Sequence, residues 1–262
     1  MRCPIRIVLV ETSHPGNIGA VARALKNMAL QELVLVRPKL FPHAEASARA
    51  SSAVELLAGA RVEDDLAAAL QGCGLVLATT SRERDQYFRV IDVRAAAQRA
   101  VEEAEYSPVA IMFGSERTGL TNQELRYAHA LLRIPANPDY PSLNIAMAVQ
   151  IVGYEVLRAR LAREQSGEAA VGAQPRAAPL ATPQQMDLMY EHLATVLQEI
   201  DFRDRTQSGG HLMQRIRRLL QRAEPDANEV NILRGILTAV QQRRRRAGLD
   251  DRAGPDDGAQ ES

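Results

Sequence analysis

The amino-acid sequence predicts an α/β fold with a parallel sheet, followed by a small all-α C-terminal extension. Short apolar runs alternate with helical stretches through residues 1–163, a pattern typical of parallel strands covered by helices on both faces. Gly, Pro and Ala then accumulate without periodicity at 164–181, where we expect a flexible linker. Helical periodicity resumes at 182–246, together with a cluster of arginines.

Five apolar runs are predicted to be the strands of the sheet. In chain order they lie at 5–10, 33–36, 74–80, 109–114 and 131–134. Helices are predicted between them, starting with the segment 18–30 and including an Ala-rich helix near 92–104. A long helix at 143–163 follows the last strand. Because these strands are apolar throughout, we expect both faces of the sheet to be buried.

Helix-capping patterns locate the helices of the extension. Thr182 and Gln185 have the spacing of a capping box, which predicts a helix start. Asp226 is predicted to cap the third helix of the extension in the same way, and Thr121 to cap the helix that follows it. The acidic tail at 247–262 is expected to be disordered.

Composition excludes several protein classes. The longest apolar runs, such as VAIMF at 109–113, are far shorter than the ~20 residues that span a bilayer. The first residues lead directly into a predicted strand without the pattern of a signal peptide, so we expect a cytoplasmic protein. Two cysteines are too few for a disulfide scaffold or a four-cysteine zinc site, and no histidine has a second ligand at metal-binding spacing, so we expect no metal.

The distribution of charge predicts a surface that binds a polyanion. The formal net charge is zero, with 32 basic and 32 acidic residues, but residues 203–246 contain 11 arginines against four acidic residues. Clustered arginines are typical of surfaces that bind phosphate backbones. The predicted RNA-binding arginines of the extension are Arg203, Arg205, Arg215, Arg217, Arg218 and Arg222.

The loop after the first strand is a candidate site. Gly16, Asn17 and Gly19 predict a sharp strand-to-helix turn in ETSHPGNIGAVARAL at 11–25, a place where ligand phosphates often bind. Neither the G-x-G-x-x-G fingerprint nor the G-x-x-x-x-G-K-[ST] loop is present, which argues against nicotinamide, flavin and ATP. Arg23 lies in an otherwise apolar stretch and is either paired with a partner or exposed on the solvent face.

Two later segments also carry candidate residues. Gly114 and Glu116 follow a strand in FGSERTGL, at the edge where open parallel sheets bind ligands. Ser142 and Asn144 stand at the entry to the long helix, where free N–H groups can meet a small ligand. The nearby tetrad Asn-Pro-Asp-Tyr at 137–140 is close to the N-P-P-Y motif of amino-methyltransferases, but the Gly-rich turn that those enzymes require is missing.

These segments together carry a family resemblance. N-I-G-A-V-A-R at 17–23, F-G-S-E-R-T-G-L at 113–120, and I-P at 134 with S-L-N at 142–144 resemble the three ordered motifs of the SPOUT methyltransferases. Among them the chain is similar to the bacterial enzymes that methylate the ribose 2'-hydroxyl of cytidine or uridine at tRNA position 32. The resemblance implies a SPOUT fold with a trefoil knot, a homodimer, and S-adenosylmethionine as methyl donor.

The resemblance also implies roles for individual residues. Arg23, Asn17 and Ser142 are the candidate catalytic residues, and Arg23 is also expected to contact RNA. The expected donor-binding residues are Thr79, Thr80, Ser81, Gly114, Glu116, Ile134, Pro141, Ser142, Leu143 and Asn144. Because a guanidinium is a poor base, we expect Arg23 to orient phosphate or ribose and to stabilise developing negative charge.

Three functions are therefore open at this point. The first is 2'-O-methylation of a pyrimidine in the tRNA anticodon loop, with the arginine-rich helices binding RNA. The second is 2'-O-methylation of ribosomal RNA by an enzyme of the same superfamily. The third is a catalytically silent RNA-binding assembly factor.

Overall fold

The structure, a computed structural model, describes residues 4–81, 89–166, 179–202 and 212–246. Its strands β1 to β7 span Ile5–Val10, Glu32–Val36, Arg61–Glu63, Leu75–Thr79, Val90–Asp92, Val109–Phe113 and Ala130–Arg133. Helices α1 to α7 span Pro15–Asn27, Ala44–Ala50, Val54–Ala58, Leu66–Ala69, Val93–Glu103, Asn122–Leu125 and Ile145–Ser166. Helices α8 to α10 span Pro183–Glu199, Leu212–Ala223 and Ala227–Arg246.

The strands form one sheet in the order β3-β2-β1-β6-β4-β7-β5, and each neighbouring pair is parallel. Strand β1 lies near the middle, with Ile7 in register with Leu33 of β2 and Ile111 of β6. Parallel pairing places the carboxyl ends of β1, β4, β6 and β7 on the same edge of the sheet. The predicted parallel α/β fold is confirmed, and the trefoil knot stays a prediction.

Both faces of the sheet are covered, as the apolar strands predict. Alternate residues of β1 enter different cores: Ile7 packs with α1, α2, α5 and α7 on one face, whereas Val8 packs with α4 and α6 on the other. The larger core includes Ile18, Leu25 and Val152, all at most 1% exposed. Burial on both faces explains why these strands are continuously apolar instead of alternating.

Two strands were not predicted from the sequence. Strands β3 and β5 have three residues each and lie at the two edges of the sheet. Their residues are exposed or only partly buried, so they carry too little apolar signal to be recognised. Helix α7 also ends at Ser166, three residues beyond the predicted domain boundary at 163.

The capping patterns have the predicted geometry. Thr182 and Gln185 form a reciprocal capping box at the start of α8, and Thr121 forms another with Glu124 at α6. At α10 the Glu229 backbone N–H donates to the Asp226 carboxylate at 2.8 Å. Each box satisfies backbone donors that the first helical turn leaves free.

The described part of the predicted linker does not stand apart from the extension. Leu180 and Ala181 are 2% and 1% exposed, and Leu180 bridges to Asp226. Ala181 packs in a small core with Met189, Tyr190 and Val230. Residues 167–178 of the predicted linker, and the predicted acidic tail at 247–262, lie outside the described residues.

The extension contacts the first domain at two places, the turn between α6 and β7 and helix α5. The Gln221 side-chain amide donates to the Arg126 carbonyl at 2.7 Å, and the Arg99 guanidinium pairs with the Glu224 carboxylate at 2.7 Å. Both members of this ion pair are less than one-fifth exposed, so the contact excludes most of the surrounding water. Among the helices in the described ranges, none has the length and apolar composition needed to cross a membrane.

Candidate active site

A cavity of about 280 Å³ opens at the carboxyl ends of β4, β6 and β7, beside the start of α7. Its walls are formed by Thr79, Thr80, Ser81, Phe113, Gly114, Ser115, Glu116, Arg117, Thr118, Gly119, Leu120, Leu132, Ile134, Pro141, Ser142, Leu143, Ile145 and Ala148. Apolar side chains from β6, β7 and α7 lie beside the hydroxyl groups of Thr79, Thr80 and Ser142, which suits a ligand that has both an apolar ring and polar substituents.

The turn after β6 shapes one wall of the cavity. At Gly114 a Cβ atom would lie 2.2 Å from both the Gly119 carbonyl carbon and the Leu120 nitrogen. The turn closes with a hydrogen bond from the Gly119 N–H to the Ser115 carbonyl at 2.9 Å, and Gly119 has a φ of 66°. At Gly114 a Cβ would displace backbone, and at Gly119 the positive φ is a conformation that favours glycine, which explains the two glycines in F-G-S-E-R-T-G-L.

The Glu116 carboxylate holds the loop that follows β1. One oxygen accepts hydrogen bonds from the Ser13 backbone N–H and the Ser13 hydroxyl, both at 2.9 Å. The other oxygen accepts from Asn17 Nδ2 at 2.9 Å and from the His14 N–H at 3.4 Å. A carboxylate offers about four acceptor sites, and this loop occupies all of them on Glu116. Glu116 can therefore act on a ligand through its negative charge but not through a further hydrogen bond.

These hydrogen bonds also set the ionisation of Glu116. Burial by itself raises the pKa of the carboxyl group, but the hydrogen bonds from Asn17 and Ser13 together lower the pKa below its ordinary value. Glu116 is therefore ionised at neutral pH. The cavity wall carries a negative charge next to the turn, which favours a cationic group in the ligand.

A second link joins the loop to α7. Asn17 Oδ1 accepts a hydrogen bond from Asn144 Nδ2 at 3.0 Å, and Asn144 Oδ1 accepts from the Ala146 N–H at 2.8 Å. Asn144 is thus the residue that caps α7. The three side chains Glu116, Asn17 and Asn144 form one chain of hydrogen bonds across the three sequence motifs.

The structure brings together most of the predicted site. Of the ten residues predicted to bind the donor, nine line the cavity and Asn144 does not. Ser142 lines the cavity at its exposed rim. Asn17 lies outside the wall and reaches it through Glu116. Arg23 is exposed on α1 and is not part of the cavity wall, so the alternative of an exposed arginine is the one observed.

Sequence reasoning missed Ser13, which supplies two of the hydrogen bonds to Glu116. A serine next to a Gly-rich turn is common in loops, and the sequence does not reveal which carboxylate would lie opposite. It also missed the apolar wall formed by Phe113, Leu120 and Leu132. These apolar residues lie at strand ends or in the turn. Once the site is known to be at the carboxyl edge of the sheet, those positions predict that the three residues line it.

The predicted RNA-binding arginines of the extension differ in their surroundings. Arg215 and Arg222 are exposed on α9, whereas Arg218 is partly buried. Arg215 and Arg218 each have an interaction partner. Arg203 and Arg205 lie outside the described residues. The basic run Arg243–Arg246 ends α10 and extends the cationic surface.

Arg217 differs from the exposed arginines of α9, and its predicted contact with RNA stays a prediction. Its guanidinium lies 4.1 Å from the centre of the Tyr190 ring and forms an ion pair with the Asp187 carboxylate at 3.1 Å. A guanidinium that is stacked and paired in this way is held within the extension. Arg217 therefore stabilises the packing of α8 on α9, and its charge is already compensated.

In the ranges that the structure describes, no group of three or more His, Cys, Asp or Glu side chains is arranged to hold a metal ion. Two histidines cap helices instead: Nδ1 of His14 accepts from the Gly16 N–H, and Nδ1 of His43 accepts from the Glu45 N–H, each at 3.1 Å.

Comparison with protein families matches both parts of the chain. The SpoU rRNA Methylase family matches residues 4–154. The family described as tRNA methyltransferase TrmJ, C-terminal domain, matches residues 184–250. The two matches fall on either side of the predicted linker.

Named relatives align along nearly their whole length. The tRNA (cytidine/uridine-2'-O-)-methyltransferase TrmJ of Pectobacterium atrosepticum is 46% identical over 238 residues, which is 91% of this chain and 97% of the relative. The protein of the same name from Yersinia pestis is 44% identical over 252 residues, covering 95% and 97%.

Solved structures of methylases also superpose over most of this chain. The crystal structure of TrmJ from Z. mobilis ZM4 superposes with a TM-score of 0.74 at 31% identity, covering 90% of this chain and 98% of that chain. A probable methylase family protein from Haemophilus influenzae Rd KW20 superposes with a TM-score of 0.61 at 38% identity, covering 94% and 100%.

Proposed function

Because this chain belongs to the SpoU methylase family, and within it to the TrmJ tRNA methyltransferases, we propose that it methylates the ribose 2'-hydroxyl of a cytidine or uridine in tRNA. The proposed target is position 32 of the anticodon loop. The observation that carries this proposal is the cavity at the carboxyl edge of the sheet, with Glu116, Asn17 and Asn144 linked across its rim.

The proposed methyl donor is S-adenosylmethionine, whose sulfonium makes the methyl group electrophilic. The cavity fits such a ligand in two respects. Phe113, Leu120 and Leu132 provide an apolar surface for a flat ring. The ionised Glu116 carboxylate provides negative charge near a cationic centre.

The chain's own residues would act mainly by positioning. Asn17 and Asn144 fix the start of α7, and with it Ser142 at the rim of the cavity. Holding the ribose oxygen in line with the methyl group can supply ~7 to 11 kcal/mol of the barrier. In the transfer a carbon–oxygen bond forms as the carbon–sulfur bond breaks, and the 2'-hydroxyl proton leaves to solvent or a nearby acceptor.

Arg23 and the extension are the proposed RNA contacts. Arg23 is exposed on α1, the helix whose first turn carries Asn17, and is free to meet a phosphate or ribose. The exposed arginines of α9 and α10 would supply further phosphate contacts. RNA contacts are thus proposed in both parts of the chain, whereas donor binding is proposed only for the cavity of the first domain.

We further propose that the chain acts as a homodimer. Helix α7 carries Met147, Tyr154 and Leu161 at successive seven-residue intervals, each 45–62% exposed. A stripe of large apolar side chains on one helix is typical of a face that packs against a second copy. Light scattering during size-exclusion chromatography would measure the mass, and a single-chain mass across micromolar concentrations would contradict the dimer.

The proposed activity is tested by mapping the modified nucleotide. The purified chain is incubated with unmodified tRNA, or with ribosomal RNA, and S-adenosylmethionine, and 2'-O-methylated nucleotides are located by mass spectrometry. We expect methylation of a pyrimidine at tRNA position 32. Methylation of ribosomal RNA alone would favour the second function, and no transfer to either RNA would contradict an enzyme.

Two glycine variants link the activity to the cavity. Gly114→Ala is expected to abolish transfer and donor binding, because the added Cβ would lie 2.2 Å from backbone atoms of the turn. Gly59→Ala is the matched control, since its Cβ would meet nothing closer than 3.4 Å. Donor affinity measured by calorimetry, with folding checked by circular dichroism, separates loss of the site from unfolding.

A further inference from the structure

The tetrad at 137–140 forms a rigid turn that the proposed mechanism does not use. The Asp139 N–H donates to Asn137 Oδ1 and the Tyr140 N–H donates to the Asn137 carbonyl, both at 3.0 Å. Pro138 occupies the corner of this turn and restricts its backbone. The Tyr140 side chain is 77% exposed, so a large aromatic ring is held in solvent on a fixed support.

The position of this turn places Tyr140 next to the active site. Pro141 and Ser142, the next two residues, line the donor cavity. A second cavity of about 270 Å³ adjoins it, lined by Ser81, Arg133, Ile134, Ala136, Pro138 and Pro141. Three of these residues, Ser81, Ile134 and Pro141, also line the donor cavity, so the two cavities share a wall.

The charge of the segment indicates what it would bind. Between residues 134 and 144 the only side chain with a formal charge is the Asp139 carboxylate, and Arg133, which lines the second cavity, already has an interaction partner. A segment with an acidic and no basic side chain disfavours a phosphate. An exposed aromatic ring among neutral polar groups instead suits a nucleobase, because proteins bind unpaired bases by stacking them on Tyr, Phe, Trp or His.

We propose that Tyr140 stacks on an unpaired base of the RNA substrate and guides the neighbouring nucleotide into the second cavity. This proposal rests on the proposed function, since it takes RNA as the substrate. It assigns recognition of the base to the turn and recognition of the phosphates to the arginines of the extension. Tyr140 is thereby an RNA-binding residue that acts on RNA affinity and leaves the donor site unchanged.

The first test compares steady-state kinetics of substitutions at Tyr140. Tyr140→Ala is expected to lower kcat/KM for tRNA about tenfold through KM, as expected for the loss of one stacked base. Tyr140→Phe is expected to recover most of that loss, since the ring remains. Tyr106→Ala is the control, because Tyr106 is also exposed but lies before β6, at the opposite edge of the sheet.

The second test uses fluorescence and does not require methyl transfer. The chain contains no tryptophan, so Tyr140→Trp creates a single reporter at the turn, and Tyr106→Trp a matched one elsewhere. Adding an anticodon stem-loop RNA is expected to quench the fluorescence of the Tyr140→Trp variant and to leave that of the Tyr106→Trp variant nearly unchanged.

The outcomes separate this proposal from the proposed function. An unchanged KM for Tyr140→Ala with unquenched Tyr140→Trp would overturn the stacking role even if the wild-type chain methylates tRNA. Loss of the homodimer in Tyr140→Ala, seen as a lower mass, would overturn it in favour of a contact between two copies. Absence of methylation by the wild-type chain, with quenching intact, would contradict the proposed activity and leave RNA stacking supported.

Discussion

The Glu116 side chain joins two parts of the fold that are far apart in the sequence. Its carboxylate, in the turn after β6, accepts hydrogen bonds from Ser13, His14 and Asn17 in the loop after β1. A charged acceptor with several donors contributes more to stability than a neutral one. The residue therefore positions the loop in addition to giving the cavity its negative charge.

Replacing Glu116 by glutamine is expected to destabilise the fold and weaken donor binding. The glutamine amide would direct an NH2 group toward donors of the loop, leaving at least one of them without an acceptor, at a cost of about 1 to 3 kcal/mol. The measurement is urea unfolding at pH 7, with calorimetry for the donor. Glu102→Gln, at an exposed position on α5, is the control, and equal stability of the two variants would contradict this role.

The same variant gives an expected pH dependence. The pKa of Glu116 is lowered in the folded state from its ordinary value of 4.5, so the unfolded chain takes up the proton first as the pH falls. The stabilising contribution is therefore complete above about pH 4.5 and is lost as the pH drops through the lowered pKa. The free energy of unfolding should fall less steeply below pH 4.5 in Glu116→Gln than in the wild-type chain.

The sequence predicted which residues come together at the site better than it predicted what each one does. Glu116 and Asn144 were expected to hold the donor, and the structure shows the first saturated by a loop and the second capping α7. Hydrogen-bond partners depend on elements that meet only in the folded chain, so a motif does not reveal them. Arg23 shows the same limit, because helix periodicity did not decide whether it was paired or exposed.

At the scale of elements, the extension is held together by a small core with one unfavourable feature. Tyr190 of α8 is 4% exposed, and within the described residues its hydroxyl has no hydrogen-bond partner. Burial raises the pKa of Tyr190 to about 12. The ring is retained because it packs against Arg217 of α9.

Tyr190→Phe is expected to stabilise the chain by about 1 kcal/mol, because it removes a buried hydroxyl without a partner and keeps the ring. Tyr127→Phe is the matched substitution with the opposite expectation, since the Tyr127 hydroxyl accepts a hydrogen bond from Arg126 at 2.7 Å. Thermal unfolding of both variants measures the difference. A lower melting temperature for Tyr190→Phe than for the wild-type chain would show that the hydroxyl is satisfied.

Helices with caps and buried strands were predicted reliably, whereas short exposed elements were not. The capping pairs at Thr121 and Thr182 marked helix starts correctly because the cap is a local interaction. Strands β3 and β5 form only because a neighbouring strand offers hydrogen bonds. Their three-residue sequences carry no apolar alternation of their own, so their existence depends on tertiary structure.

For the whole molecule, a net charge of zero conceals an uneven distribution. The stretch 203–246 is strongly basic, whereas the segments 163–202 and 247–262 are acidic. RNA affinity and its salt dependence follow the charges that meet phosphate and not the total. Because the ends of α10 and α9 carry exposed arginines, most of the salt dependence of RNA affinity should come from the extension.

The double variant Arg243→Gln with Arg245→Gln is expected to weaken tRNA binding and to reduce the slope of log affinity against log salt by about 1 to 2. The control, Lys26→Gln with Arg61→Gln, removes the same charge at the amino-terminal edge of the sheet. Filter binding across a salt series gives both slopes, and donor affinity should be unchanged in both variants. If the arginine variant and the control gave equal slopes, RNA binding would not depend on the arginines of α10.

The order of the strands also has a consequence for how the chain is made. Strand β1 ends at Val10, yet one of its two partners, β6, begins only at Val109 and is translated later. Until that point is translated, Ile7 and its neighbours have an open side that nothing in the earlier chain can close. Nascent chains that stop before β6 would thus expose an apolar strand edge, so they should be the fragments that chaperones bind and that aggregate first.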